Sequence, residues 1–77
     1  MSNWISIDNK LCKTFTFKDF AAAMAWMVKA GYAIEKINHH PEWTNIYNRV
    51  EVKLCTHDAG NVITQKDYEL AEILNQL

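Results

Sequence analysis

Histidine is the side chain whose ordinary pKa, ~6.5, puts its change of charge near neutral pH. The sequence holds three, His39, His40 and His57. Brought together, one could donate a proton while another accepts one. General acid–base help from one such group is worth roughly 10² to 10⁴ in rate, or about 3 to 5 kcal/mol of barrier. Glu35 stands four residues before His39. On a helix that spacing puts both on one face, where the carboxylate could orient the imidazole. As an ordinary exposed pair it would contribute only ~0.3 kcal/mol. Trp43 could stack on a flat ring, but a tryptophan opening a strand also serves as core or interface. Asp67 occupies a helix-capping position, which accounts for it without a catalytic role. A metal ion held by the histidines and Cys55 is the remaining chemistry. Adjacent histidines rarely both reach one ion, and neither C-x-x-C nor H-E-x-x-H spacing occurs, so no metal site is expected.

These residues need elements to place them. Ile5 and Ile7 alternate with polar neighbours, as do Leu11, Phe15 and Phe17, with Lys13 breaking the pattern. Asp8-Asn9 between the runs suits a tight turn, so Trp4 to Phe17 is expected to form a β-hairpin. Phe20 to Val28 is unbroken apolar sequence containing four alanines, which favour helix. Thr16 or Asp19 could cap it. The helical spacing continues through Gly31 to about Asn38 or His39, and Pro41 forces His40 towards an extended conformation. This helix is apolar nearly all round, so it is either covered on two sides or meets another subunit. Trp43 to Tyr47 and Val50 to Thr56 form a second expected hairpin, turning near Asn48. Val50, Val52 and Leu54 point one way; Glu51, Lys53, Cys55 and His57 point the other. By that parity His57 is no core histidine, which leaves a solvated strand end or a functional site. Thr64-Gln65-Lys66-Asp67 matches a capping box for a last helix with Tyr68, Leu70, Ala71, Ile73, Leu74 and Leu77 on its apolar side. The order β-β-α-β-β-α implies an α+β fold, an antiparallel four-stranded sheet with helices packed on one face.

The 77 residues suffice for one domain, spanning 1–77. A domain this small buries only about 60% of its unfolded surface, so association with further copies is an expected source of stability. The formal net charge is −1 and the eight Lys and Arg are scattered, so direct nucleic-acid binding is not expected. No basic stretch precedes an apolar run and no segment has membrane length, which makes the cytoplasm the default location. In that compartment Cys12 and Cys55 are expected to be buried thiols rather than a disulfide.

The stretch Glu35-Lys36-Ile37-Asn38-His39-His40-Pro41-Glu42-Trp43, followed by Asn45-Ile46-Tyr47-Asn48, Thr56-His57-Asp58-Ala59-Gly60, Asp67 and Leu70-Ala71, closely resembles the pterin-4a-carbinolamine dehydratases. Order and spacing match from Glu35 to Gly60, and the resemblance covers most of residues 4–77. It implies a sheet backed by helices and the removal of water from 4a-hydroxytetrahydrobiopterin. The product is the quinonoid dihydropterin, so the reaction recycles the cofactor of aromatic amino acid hydroxylases. No metal or organic cofactor is implied. By position, His39, His40 and His57 correspond to the family's active-site histidines and Glu35 to its helix carboxylate. Pro41, Trp43, Thr56, Asp58 and Ala59 correspond to the pocket lining. His39 and His57 would share the acid and base roles, in an order left open, with His40 holding the pterin and Glu35 orienting His39.

The sequence departs from the family twice. Members usually carry a helix before the first strand, whereas Trp4 here already lies almost at that strand, which bears on the usual tetramer. Gly60-Asn61-Val62-Ile63-Thr64 replaces the more usual Gly-Gly loop and is one residue longer. Some animal members also act as dimerisation partners of a homeodomain transcription factor. A non-catalytic interaction module of the same fold is therefore the alternative to an enzyme. Retention of all three histidines favours the enzyme, because an interface needs no imidazole trio.

Overall fold

The computed structural model describes residues 3–77. Strand β1 (Ile5–Ile7) turns into β2 (Lys10–Thr16) through Asp8 and Asn9, at φ 52° and 64°. Both turn residues are left-handed, as a two-residue hairpin loop requires. Helix α1 (Phe20–Ile37) starts at Asp19, whose Oδ1 accepts the Ala22 N–H at 2.8 Å, and runs through Gly31. It ends at Asn38, left-handed at φ 52°, whose N–H donates to the Glu35 carbonyl. Strands β3 (Glu42–Ile46) and β4 (Arg49–Leu54) form the second hairpin, turning at Tyr47 and Asn48. A short 3-10 turn, His57–Ala59, follows, and then α2 (Gln65–Asn75). The sheet is antiparallel throughout, in the order β1-β2-β4-β3.

The core lies between the sheet and both helices. β4 contributes Val50, Val52 and Leu54, as its alternation predicts; α1 contributes Ala23, Trp26, Ala30 and Ile34; α2 contributes Leu70, Ala71 and Leu74. Burying a leucine completely, as at Leu54, Leu70 and Leu74, is worth roughly 1.5–3 kcal/mol. The buried stripe of α1 uses spacings of three and four residues. Its far side remains open: Phe20, Met24, Val28 and Tyr32 are 47%, 42%, 55% and 78% exposed. Of the two ways to cover an all-round apolar helix, the fold supplies one side only.

Two features of the first hairpin differ from a simple apolar alternation. Ile5 pairs with Cys12 rather than Leu11, so Ile5 and Ile7 lie exposed on the helix-free face, and Trp4 takes the core position instead. Lys13, opposite Val52, does point to the core side. Its Nζ donates to Asn75 Oδ1 at 2.7 Å and sits 4.5 Å from the Phe15 ring centroid, while Trp4 Nε1 donates to the same oxygen at 2.9 Å. The lysine thus keeps its stem in the core and its charge at the rim, tying β2 to the end of α2. Cys12 and Cys55 are free thiols; Cys55 is buried, and Cys12, expected inside, is only half-buried.

Candidate active site

Three junctions bring the histidines together. The left-handed turn at Asn38 releases His39 and His40 from the end of α1, and Pro41 then holds the chain extended into β3. His57 opens the 3-10 turn just beyond β4, where Thr56 pairs with Val62. The first turn of α2 packs beneath them and supplies Asp67, which has no exposed surface.

Asp67 is the hub. Its Oδ1 accepts from His39 Nε2 at 2.6 Å, and its Oδ2 accepts from Thr56 Oγ1 at 2.8 Å and from the Thr64 N–H at 2.9 Å. The last of these is the capping contact that the Thr64-x-x-Asp67 spacing predicts. The first gives the same carboxylate a second use, holding a mostly buried imidazole. A buried carboxylate is tolerable when donors satisfy it, and here one hydroxyl, one backbone N–H and one imidazole do so.

Glu35 does not meet His39. Its Oε1 accepts from His40 Nε2 at 2.8 Å, with both side chains exposed. The four-residue spacing requires the helix to continue through His39, but α1 stops at Ile37. The left-handed residue that follows turns His39 inward to Asp67 and leaves His40 to Glu35. His57 has a third partner: its Nδ1 lies 2.8 Å from Asn61 Oδ1. Each imidazole therefore has one ring nitrogen tied to its own acceptor, and its other nitrogen has no protein partner among the described residues.

A cavity of about 290 Å³ lies between these groups. Of the expected residues, His39, His40, Pro41, Thr56, His57 and Asp58 line it; Asn38 and Lys66 line it without having been foreseen. Trp43 does not. It is half-buried against Trp26, ring centroids 6.2 Å apart, as the core reading of a strand-opening tryptophan requires. Glu35 and Ala59 also lie outside the lining, although Ala59 sits in the same 3-10 turn as His57 and Asp58. Next to Pro41 in the chain, Glu42 accepts from Lys10 at 2.8 Å, the lysine reaching past β4 from β2 to β3. That hydrogen bond, helped by the opposite charge, holds the Lys10 ammonium above its ordinary range and the Glu42 carboxyl below its own. Glu42 is exposed and Lys10 half-buried, so solvent screens the pair and it adds little to stability. Among the described residues no three His, Cys, Asp or Glu side chains gather closely enough to hold a metal ion, and no helix is long and apolar enough to cross a membrane.

A hollow of about 260 Å³ on the helix-free face, between Ile7, Lys10, Cys12 and Lys53, contains no histidine. All three histidines line the cavity at the ends of α1 and β4. A family model described as pterin 4 alpha carbinolamine dehydratase matches residues 1–77. The chain belongs to that family.

Relatives within the pterin-4a-carbinolamine dehydratases cover nearly the whole chain. A protein of Opitutus terrae named "Putative pterin-4-alpha-carbinolamine dehydratase" is 49% identical, over 92% of this chain and 73% of its own length. One of Rhizobium meliloti with the same name is 45% identical, over 99% of this chain and 74% of its own. The crystal structure of a protein from Brucella melitensis, described as a transcriptional coactivator/pterin dehydratase, superposes with a TM-score of 0.93 at 40% identity. That match covers 99% of this chain and 82% of the other. The α+β fold expected from the sequence is therefore the dehydratase fold. Within it the sequence left two partnerships hidden, His39–Asp67 and His57–Asn61. The first joins residues 28 apart, which no local spacing reports. The second joins His57 to the loop that follows its 3-10 turn.

Proposed function

We propose that this protein dehydrates 4a-hydroxytetrahydrobiopterin to the quinonoid dihydropterin by histidine general acid–base catalysis. It would thereby recycle the pterin cofactor of aromatic amino acid hydroxylases in the cytoplasm. The supporting observation is the single cavity edged by three imidazoles, each anchored through one nitrogen and unpartnered at the other. The chemistry needs two proton movements. An acid protonates the 4a-hydroxyl, and the C4a–O bond breaks to release water. A base takes the N5 proton, and the N5–H electron pair becomes the N5=C4a double bond. Acid and base are His39 and His57, with His40, Pro41, Thr56 and Asp58 forming the walls that hold the pterin. Glu35 acts through His40, and Asp67 through His39. No metal or organic cofactor takes part in this scheme.

The test is to generate the 4a-hydroxytetrahydropterin in situ and follow its dehydration. His39→Ala and His57→Ala should each lower the rate by about 10² to 10⁴ with the fold retained by circular dichroism. Wild-type protein no faster than buffer would overturn the enzyme reading. The exposed stripe of α1 supports a second reading, a non-catalytic interaction module of the coactivator type. On that reading neither the wild type nor the alanine variants dehydrate the pterin faster than buffer, and all three keep the same association state.

A further inference from the structure

We propose that Asn61 is a positioning residue that fixes the tautomer of His57, leaving Nε2 as the bare, proton-accepting nitrogen of the site. Its catalytic consequence rests on the acid–base reading above; the tautomer itself does not.

The amide oxygen of Asn61 lies 2.8 Å from His57 Nδ1. A carbonyl oxygen only accepts, so Nδ1 carries the hydrogen. A neutral imidazole has one such hydrogen, so the lone pair is left on Nε2. His57 is exposed, and no other side chain holds it among the described residues. An imidazole in water exchanges between its tautomers and favours the one with hydrogen on Nε2. The amide is therefore the group that decides. A neutral hydrogen bond of ordinary strength shifts such a ratio ~5-fold.

The backbone is built to deliver this oxygen. Gly60 and Asn61 are consecutive left-handed residues, at φ 89° and 60°. The Asn61 N–H donates to the Thr56 carbonyl at 3.0 Å, and the Thr56 N–H donates to the Val62 carbonyl at 2.8 Å. The loop is thus closed on both sides of Asn61, and its side chain returns to the ring. Glycine would meet the same φ at lower cost. What glycine lacks is the amide oxygen. His39 and His40 are held differently, through Nε2 and by carboxylates. His57 alone is held through Nδ1, and so it presents the opposite ring nitrogen. In the dehydration, this Nε2 lone pair forms the new N–H bond with the N5 proton. The N5–H electrons move into N5=C4a, and the hydroxyl leaves as water with the proton supplied by His39.

The experiment reads the imidazole ¹⁵N resonances of wild type, Asn61→Gly and Asn61→Asp at about pH 8, where an ordinary histidine is neutral. Glycine keeps the left-handed loop without the amide; aspartate keeps an acceptor. The expected result is an Nδ1–H tautomer in wild type and Asn61→Asp, and a ~5-fold shift towards Nε2–H in Asn61→Gly. In turnover, Asn61→Gly should lose ~5-fold in kcat at unchanged KM, and Asn61→Asp should recover it. An Nε2–H tautomer in wild type, as an amide turned to present its NH₂ would produce, overturns the proposal. So does an Asn61→Gly spectrum identical to wild type, or a shifted tautomer with unchanged kcat. If wild type fails to dehydrate the pterin at all, the function fails while the spectra still decide the tautomer.

Discussion

Asp67 shows how one residue can satisfy two demands. As the third helical residue of α2 it caps Thr64, and as a buried carboxylate it holds His39 and Thr56. Removing it leaves the His39 imidazole and the Thr64 N–H without this acceptor, while Thr56 Oγ1 still has Thr64 Oγ1 at 2.6 Å, and a buried unpaired donor costs about 1–3 kcal/mol. Asp67→Ala should therefore lose about 2 kcal/mol or more in denaturant unfolding. Asp67→Asn keeps one oxygen for the cap and the Thr56 hydroxyl but replaces the charge opposite His39 with a neutral amide group. It should lose only about 1 kcal/mol of stability yet at least ~10-fold in kcat. Full activity in the asparagine variant would show that the His39 contact serves the fold alone. The three-residue spacing made the cap legible. The histidine contact was not, because it depends on where two helices end relative to each other.

At the scale of elements, Asn38 decides more than its position suggests. A helix one turn longer would have kept Glu35 beside His39. The left-handed cap instead sends the two histidines to different carboxylates, Asp67 and Glu35. Asparagine tolerates this conformation and alanine resists it, by about 1–2 kcal/mol. Asn38→Ala should therefore lower the unfolding free energy by about that amount and weaken substrate binding, whereas Asn38→Gly should leave both close to wild type. Equal stability of the alanine and glycine variants would overturn this account. The first hairpin was readable because its turn carries residues suited to positive φ, and the second because β4 alternates cleanly; the left-handed residue of the second turn is Tyr47, which its residue type does not announce. The facing of β1 was not readable: the two-residue turn puts Ile5 opposite Cys12, which sends both isoleucines away from the helices. Lys13 broke the alternation of β2 for a reason that lies 62 residues away at Asn75.

The molecule as a whole covers one side of an apolar helix and leaves the other bare. Phe20, Met24, Val28 and Tyr32 recur at four-residue spacing along α1 and stay exposed. For a domain that buries only about 60% of its unfolded surface, covering such a stripe is a direct gain. We propose that a second copy covers it, making a dimer or tetramer. Wild-type protein should then scatter light as an oligomer at micromolar concentration, and Val28→Asp should shift it towards the monomer with its helical signal intact. A monomeric wild type would overturn the assignment.

Short-range physics was legible in the sequence: the apolar period of α1 and α2, the alternation of β4, the turn residues at Asp8 and Asn9, and the capping spacing at Thr64. Strand parity did not place His57, because β4 stops at Leu54, Cys55 on the supposed outer face is buried, and His57 lies in the 3-10 turn. The tertiary structure decided which acceptor each imidazole meets. His39, His40 and His57 end on Asp67, Glu35 and Asn61 because a left-handed residue ends α1, α2 packs under that end, and a closed loop returns over the end of β4. A hydrogen bond depends on tenths of an ångström and on direction, and spacing along a chain fixes neither once the partners lie on different elements.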